Sequence, residues 1–189
     1  MRKTIVIFIS LLAFIGLACG LSFPKTDNKK AEWPTPSVSE EEAQKFEQNV
    51  QAAGDQLNAN EPVVLVVTES ELTSFATLQL QKLEVSAFVE PQIYLRDGKV
   101  QVFGKYVEAA SVDISVKLGL LVSDGLLKIQ IDAITLNGFT APDQLAKKVQ
   151  LAIAEQVEPA LNQWLVGGMY VDKIEIGDGI LTITGHNPK

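Results

Sequence analysis

Few residues of this chain have side chains suited to catalysis or metal binding. The 189 residues include one histidine and one cysteine. His186 stands three residues before the end of the sequence, where chains fray, and we interpret it as a terminal residue rather than a catalytic base. Without a second histidine or cysteine, the usual zinc ligand sets cannot be assembled. The acidic run at residues 40–42 precedes an amphipathic segment, and we assign it to a helix start, where the dipole favours acids.

Motifs that bind phosphate or activate a nucleophile are missing from the sequence. It has no Gly-x-Ser-x-Gly elbow, no phosphate-binding loop and no dinucleotide glycine fingerprint. Asp97, Asp124 and Asp178 each precede a glycine, and we assign all three to turns. A hydrolase built on paired carboxylates is the catalytic alternative that these acids leave open. We predict that the protein is not an enzyme, with no catalytic residue, metal or cofactor.

The first nineteen residues predict export and lipid attachment. A positive start at residues 2–3 precedes an uncharged apolar run that is too short for an ordinary spanning helix. The segment Gly16-Leu17-Ala18-Cys19 resembles the lipobox of bacterial lipoproteins, in which the cysteine is acylated and becomes the new N-terminus. We therefore predict a signal peptide over residues 1–18 and lipidation of Cys19, with the several acyl chains that stable anchoring takes. The alternative is a plain signal, or an uncleaved anchor, with an incidental cysteine.

Charge and composition limit the partners that this chain can have. Hydrophobic residues make up 47% and charged residues 21% of the chain, a composition typical of a folded domain. The formal net charge is -7. An acidic surface repels phosphate backbones, so we expect no nucleic-acid partner. Peripheral attraction to anionic lipid headgroups is also disfavoured, because it takes clustered lysine and arginine. Contact with a membrane must then come from the lipid anchor or from apolar surface.

Residues 19–38 are polar and contain prolines, and we predict a lipid-anchored flexible tether there. Trp33, near its end, either anchors at the membrane interface or docks on the folded domain. The remaining residues, 39–189, form a single predicted domain. The protein would then face the extracytoplasmic side of the cell membrane or of an outer membrane.

Two helices and a strand are predicted at the start of this domain. Ser39 and Glu42 fit a capping box, and apolar residues then recur every three or four positions, which predicts a helix over residues 40–57. Residues 63–67 are almost wholly β-branched and predict a buried strand. Thr68 and Glu71 form a second capping box, which predicts a helix that ends near residue 82.

From residue 85 the apolar pattern changes to a period of two residues. Three Asp-Gly pairs interrupt it, at residues 97–98, 124–125 and 178–179. An Asp-Gly pair between alternating apolar runs is the strongest short signal of a hairpin, because both turn residues need positive φ. The sequence therefore predicts three antiparallel hairpins, as a repeated device rather than a duplicated domain.

A long helix is predicted between the second and third hairpins. Thr140 suits an N-cap and Pro142 a first turn, and an apolar stripe then extends to Gly167. Pro159 removes one backbone hydrogen bond, so we expect either one bent helix or two shorter helices that meet there. The predicted fold is α+β, with a curved antiparallel sheet of about six or seven strands wrapped on this long C-terminal helix, and with N-terminal helices.

Apolar residues occur on more than one face of the later strands and of the long helix. They serve either to close the core of a small domain or to line a cleft between helix and sheet. The candidate lining residues are Val112, Ile114, Val116, Ile129, Ile131, Leu145, Val149, Ile153, Val157, Leu161 and Trp164.

Several architectural motifs together resemble the tubular lipid-binding superfamily, which includes the bactericidal permeability-increasing type of protein, and small bacterial exported lipoproteins of that kind. They are the helix entry at residues 68–72, the strand-turn-strand units around Gly98 and Gly125, the helix from Pro142 and the closing segment 174–183. The resemblance implies a long helix wrapped by a curved sheet, with a groove for an acyl chain between them.

These observations favour a tethered lipoprotein that binds a lipid or another apolar molecule in a groove between helix and sheet. Burial of an acyl chain contributes about 0.8 kcal/mol per CH₂, so a dry groove gives affinity without a catalytic group. The alternative is a non-enzymatic interaction or scaffold subunit of an envelope assembly, which would use an exposed sheet edge or the Trp164 end of the helix. The sequence does not identify a protein partner.

Overall fold

The computed structural model describes residues 33–59, 61–82, 88–107, 111–152, 154–155, 158–163 and 167–188. The predicted signal peptide, the predicted lipidation site Cys19 and most of the predicted tether lie outside these residues. In chain order, the helices and strands are α1 (Glu40–Asn58), β1 (Val63–Thr68), α2 (Glu69–Gln81), β2 (Phe88–Arg96), β3 (Lys99–Tyr106), β4 (Val112–Ser123), β5 (Leu126–Leu136), β6 (Phe139–Thr140), α3 (Asp143–Ala152), α4 (Glu158–Leu161), β7 (Tyr170–Ile176) and β8 (Ile180–His186).

The two N-terminal helices begin where the capping residues predict. The Ser39 hydroxyl accepts a hydrogen bond from the Glu42 N–H at 3.2 Å, at the start of α1. At the start of α2 the capping box is complete, since Thr68 accepts from the Glu71 N–H and the Glu71 carboxylate accepts from the Thr68 N–H. These side chains satisfy N–H groups that the first turn of a helix leaves without partners, which confirms both predicted helix starts.

The strands form two antiparallel sheets. One has three strands in the order β1-β8-β7, and the other has five in the order β2-β3-β4-β5-β6. The prediction of one curved sheet of six or seven strands is therefore wrong. The first sheet depends on pairing between distant parts of the chain, for example Leu65 with Ile183. No local signal in the sequence specifies such a pairing, whereas each hairpin carries its own turn residues.

The predicted long C-terminal helix is also wrong for the part of the chain that the structure describes. Two shorter helices occur instead, α3 with ten residues and α4 with four, and neither is wrapped by a sheet. Pro159 lies in the first turn of α4, where backbone N–H groups have no partner within the helix, so a proline there costs no hydrogen bond. α3 ends at Ala152 and α4 begins at Glu158, so the boundaries of the two helices differ from both alternatives, which placed a bend or a junction at Pro159.

Positive φ angles confirm the hairpin turns that the Asp-Gly pairs predict between β2 and β3 and between β4 and β5. Asp97-Gly98 has φ of 54° and 69°, and Asp124-Gly125 has 53° and 74°. The third predicted hairpin, β7–β8, is also present, but only Gly179 of its pair has a positive φ. A further turn at Asn137-Gly138 joins β5 to β6 with the same geometry. Asn-Gly is an equally strong hairpin signal, and our sequence analysis missed it.

The main core lies where the three-stranded sheet and α1 pack against the end of the five-stranded sheet that carries the two Asp-Gly turns. β1 buries Val63, Leu65 and Val67, while its alternate residues Val64 and Val66 are 55% and 43% exposed. The β1 strand is thus buried on one face only, as antiparallel sheets permit, and not on both faces as its composition indicated. The other buried residues of this core are Phe46, Ala53, Leu95, Val100, Leu127, Met169, Val171, Leu181 and Ile183.

The segment just before α1 lies against the domain. The Trp33 ring is 5.4 Å from the Tyr94 ring, and the Arg96 guanidinium is 5.7 Å from the Trp33 ring. The Ser74 hydroxyl accepts from the Ser39 N–H at 3.1 Å and donates to the Ser37 carbonyl at 3.1 Å. Burial raises the pKa of the Tyr94 phenol, although a hydrogen bond with the Thr35 side chain lowers it in part. Of the two alternatives for Trp33, the structure shows docking on the domain.

Candidate functional site

One face of the five-stranded sheet is mostly aliphatic, and we call it the inner face because its turn end packs on the main core. Cross-strand pairs such as Val102 with Val116, and Leu118 with Ile131, place successive aliphatic residues on this face. Side chains alternate between the two faces of a strand, so every second residue of β2 to β5 belongs to it, except where the register shifts between Val89 and Gln92 and between Lys117 and Leu118. The remaining inner-face positions are Ile93, Leu95, Val100, Gly104, Tyr106, Val112, Ile114, Leu120, Val122, Leu127, Ile129, Ile134 and Leu136.

The middle of the inner face is only partly buried. At the turn end Leu95 and Leu127 are fully buried, and at the far end Ile114 and Ile134 are 3% and 5% exposed. Half-buried side chains lie between these two ends, and we call the six of them on β3, β4 and β5 the aliphatic band. Its members are Val102, Val116, Leu118, Leu120, Ile129 and Ile131. The band connects the main core with a smaller cluster around Ile114.

The structure brings together five of the eleven predicted lining residues. Of the eleven predicted lining residues, Val116, Ile129 and Ile131 lie in the aliphatic band, and Val112 and Ile114 lie beside it in the smaller cluster. Leu161, on α4, packs against the main core. Five others cannot be placed, because Ile153, Val157 and Trp164 lie outside the described residues and the side chains of Leu145 and Val149 are not described. The sequence analysis missed Val102, Leu118 and Leu120, although period-two alternation could have found them.

Two open clefts on the surface are lined mostly by polar residues. One, of about 450 Å³, lies at the end of the five-stranded sheet away from the Asp-Gly turns, and Ile114 is the predicted groove residue that reaches it. The other, of about 380 Å³, lies between α1 and α2 and includes none of the eleven predicted residues. The aliphatic band is therefore a partly covered face and not one of these two clefts.

Side chains of α4 and of the residue after it close the free edge of β5 beside the band. The Glu158 carboxylate, 8% exposed, accepts from the Ile129 N–H at 2.7 Å. Asn162 accepts from the Leu127 N–H at 2.8 Å and donates to the Leu127 carbonyl at 2.9 Å. Because Glu158 and Asn162 are four residues apart, they project from one side of a helical turn. We call this pair the β5 edge cap.

The opposite edge of the sheet is closed in the same way. On α2, Thr73 accepts from the Ile93 N–H at 3.0 Å, and Glu69 accepts from the Leu95 N–H at 2.5 Å. Glu69 also forms an ion pair with Arg96. Glu69 and Thr73 are four residues apart, like Glu158 and Asn162, and Glu69 is buried like Glu158. An uncapped edge offers free N–H and C=O groups to other strands, so the two caps protect the edges of the sheet.

The polar residues that the sequence singled out lie in separate elements: the acids 40–42 in α1, His186 in β8 and the aspartates in turns. His186 lies in β8 rather than at a frayed end, 2.8 Å from the exposed Asp172 carboxylate and 5.1 Å from the Tyr170 ring. Glu41 and Glu42 each lie 2.9 Å from Lys45 and raise the pKa of its ammonium. Among the described residues, no group of three or more histidine, cysteine, aspartate or glutamate side chains is placed to hold a metal ion.

Comparison with known proteins adds no assignment. No protein-family model matches the chain, and no curated protein is significantly similar to it. Within the ranges that the structure describes, helices are too short or too polar to cross a bilayer.

Proposed function

We propose that this chain is an extracytoplasmic lipoprotein, held to a membrane through Cys19, that binds the hydrocarbon chain of a lipid or of a similar apolar molecule against the aliphatic band. The observation that carries the proposal is the band itself. Its six side chains remain partly accessible, and the residues that pair with them across β2 to β5 are all aliphatic.

The chemistry of the band favours a hydrocarbon occupant. An apolar surface gains about 25 cal/mol for each Å² that it removes from water, and only an apolar partner avoids a desolvation cost there. A polar ligand would find no hydrogen-bond donor or acceptor on the band, since the strand groups are paired in the sheet. The affinity would therefore depend mainly on the length of the hydrocarbon chain and only weakly on its chemical type.

The two ends of the inner face limit where such a chain can lie. The main core closes the end near Leu95 and Leu127, and the smaller cluster closes the end near Ile114. The β5 edge cap holds α4 beside Ile129, so the helical segment forms one wall of the proposed site. This arrangement supports a groove between a sheet and a short helix, without the wrapped long helix that the resemblance implied.

Blocking the band tests the proposal. In the soluble form that lacks residues 1–19, Ile131→Trp would place an indole ring over the half-buried band, and we expect it to abolish uptake of a fluorescent hexadecanoic acid. The wild-type form should bind the probe with micromolar affinity or better. The measurement is fluorescence titration, supported by native mass spectrometry of the protein as purified from cells.

Val66→Trp is the matched control, because Val66 is 43% exposed on the outer face of the other sheet. It should bind the probe like the wild type. Val116→Phe, a smaller change within the band, serves if Ile131→Trp does not fold, as judged by circular dichroism. The proposal fails if wild-type protein carries no lipid and takes up no probe, or if the band variants bind as well as the control.

An interaction module is the second candidate, because the outer face of the three-stranded sheet also exposes apolar residues. Val64 pairs with Thr184, Val66 with Thr182 and Thr68 with Ile180, so these residues share one face. Val64, Val66 and Ile180 are 55%, 43% and 44% exposed. A photo-crosslinking residue at Val64 in intact cells would capture a protein partner under this hypothesis, while one at the exposed Gln51 of α1 would not.

A further inference from the structure

The face of the five-stranded sheet opposite the aliphatic band carries a polar surface at the end away from the Asp-Gly turns. Register places Gln92, Phe103, Ser115 and Thr135 directly opposite one another on four adjacent strands. Directly paired residues of neighbouring strands share a face, with side chains about 5 Å apart. These four residues therefore form one row across β2, β3, β4 and β5.

A second row runs beside the first, toward the end of the sheet. Lys105 pairs with Asp113, two residues along each strand from Phe103 and Ser115. Glu90 lies 2.5 Å from the Lys105 ammonium, and Asn137 donates its N–H to the Asp113 carbonyl at 2.7 Å. All eight residues of the two rows line the open cleft of about 450 Å³, which we call the outer cleft.

Hydrogen bonds within the outer cleft hold its side chains in place and leave bonding capacity free. The Ser115 and Thr135 hydroxyls are 2.6 Å apart, so one donates to the other, and each oxygen has a further lone pair. The Asn137 amide oxygen accepts from the Asp113 N–H at 2.9 Å, and its NH₂ group retains two donors. The carboxylate of Glu90 raises the pKa of the Lys105 ammonium by a hydrogen bond, which keeps that donor charged.

The charges of the outer cleft limit the ligand. Glu90 and Asp113 carry two negative charges against the one positive charge of Lys105, so a phosphate or another anion would be repelled. Hydroxyl, amide, carboxylate and ammonium groups alternate at short range, which suits a ligand that both donates and accepts at every position. The partly buried Phe103 ring adds one apolar surface within this polar set. A sugar ring has both properties, because it carries hydroxyl groups at its edge and C–H groups on its face.

We propose that the outer cleft is a binding site for a neutral saccharide. The site is independent of the proposed lipid site, because it lies on the opposite face of the same sheet and shares none of the six residues of the aliphatic band. An extracytoplasmic protein with both sites would hold a lipid on one face and contact an envelope glycan with the other.

Saturation-transfer NMR tests this proposal. The full chain, purified in a zwitterionic detergent that contains no sugar, is mixed with chitotriose, with maltotriose, with methyl phosphate or with spermidine. We expect saturation transfer to at least one of the two sugars and none to methyl phosphate or spermidine. Asp113→Ala should weaken sugar binding by about fivefold, as for the loss of one hydrogen bond, and Phe103→Ala should weaken it more.

Asp113 is exposed, so Asp113→Ala leaves the packing intact. It therefore still tests the site if Phe103→Ala does not fold. Thr182→Ala, on the outer face of the other sheet, is the matched control and should bind like the wild type. Transfer to neither sugar, transfer to methyl phosphate or spermidine, or equal sugar binding by Asp113→Ala and wild type would each overturn the proposal. Fatty-acid uptake by the same protein is measured separately, so the failure of one site is distinguishable from the failure of the other.

Discussion

At the scale of single residues, turn glycines with the same backbone conformation have different surroundings. Gly98 has a φ of 69° and nothing within 4 Å of the position where a β-carbon would stand. Gly125 has a φ of 74°, but a β-carbon there would overlap the Tyr170 ring. The N–H of Val171, the next residue, donates to the Gly125 carbonyl at 2.9 Å. The second Asp-Gly turn is thus also a contact between the two sheets, which its sequence does not reveal.

We expect Gly98→Ala to lower the free energy of unfolding by about 1 kcal/mol, the cost of a left-handed alanine. Gly125→Ala should cost at least twice as much, because the new methyl group must displace Tyr170. Urea denaturation measures both values. In protein that already carries Tyr170→Ala, adding Gly125→Ala should cost little more than Gly98→Ala does, because the overlapping ring is gone. Equal costs for the two glycine variants would contradict the assigned contact.

At the scale of secondary-structure elements, the five-stranded sheet is closed at both edges by side chains from helices. Glu69 with Thr73 caps β2, and Glu158 with Asn162 caps β5. Each pair has four-residue spacing, and each glutamate accepts a strand N–H while pairing with a cation on the same strand, Arg96 or Lys128. Four residues of α4 would not form a stable helix alone, so the β5 edge cap fixes the position of this segment.

Removal of the β5 edge cap should destabilise the domain. Glu158→Ala leaves the Ile129 N–H without its acceptor, and we expect a loss of about 1–3 kcal/mol in the free energy of unfolding. Glu175→Ala is the matched control, because it removes an ion pair with Lys173 in which both side chains are more than half exposed. Such exposed pairs contribute about 0–1 kcal/mol. Thermal or urea denaturation compares the two variants, and similar losses would show that α4 is not fixed by Glu158.

At the scale of the whole molecule, the two proposed ligand sites and the predicted membrane tether lie on separate parts of the domain surface. The aliphatic band and the outer cleft lie on opposite faces of one sheet, while the segment from Trp33 to Ser39 crosses α2 and β2. The predicted anchor would enter the domain at Trp33. Docking of this segment would limit the distance between the domain and the membrane to the length of residues 19–32.

Lipid attachment is tested at the same scale. We expect Cys19→Ser to abolish labelling by an alkyne analogue of palmitate and to remove the protein from the detergent phase of a phase-separation assay. Ser22→Ala, in the same segment, should retain both properties. If Cys19→Ser still partitions into the detergent phase, the uncleaved-anchor alternative replaces lipidation.

Local structure was predictable because its determinants are adjacent in the sequence. The capping residues Ser39 and Thr68 and the Asp-Gly turns at residues 97–98 and 124–125 act through bonds and φ angles within four residues of themselves, and the structure confirms them. Period-two alternation likewise placed Val116, Ile129 and Ile131 on one face of the sheet. The division of the strands into two sheets was not predictable, because β1 pairs with β8 from the other end of the chain.

The sequence by itself determined the acidic charge, the single cysteine, the helix starts and the hairpins. The tertiary structure decided which apolar residues enter a closed core and which remain partly accessible, and it brought Gln92, Phe103, Ser115 and Thr135 into one row. The reason is physical: capping and turn formation depend on neighbours along the chain, whereas burial depends on which distant segments pack together.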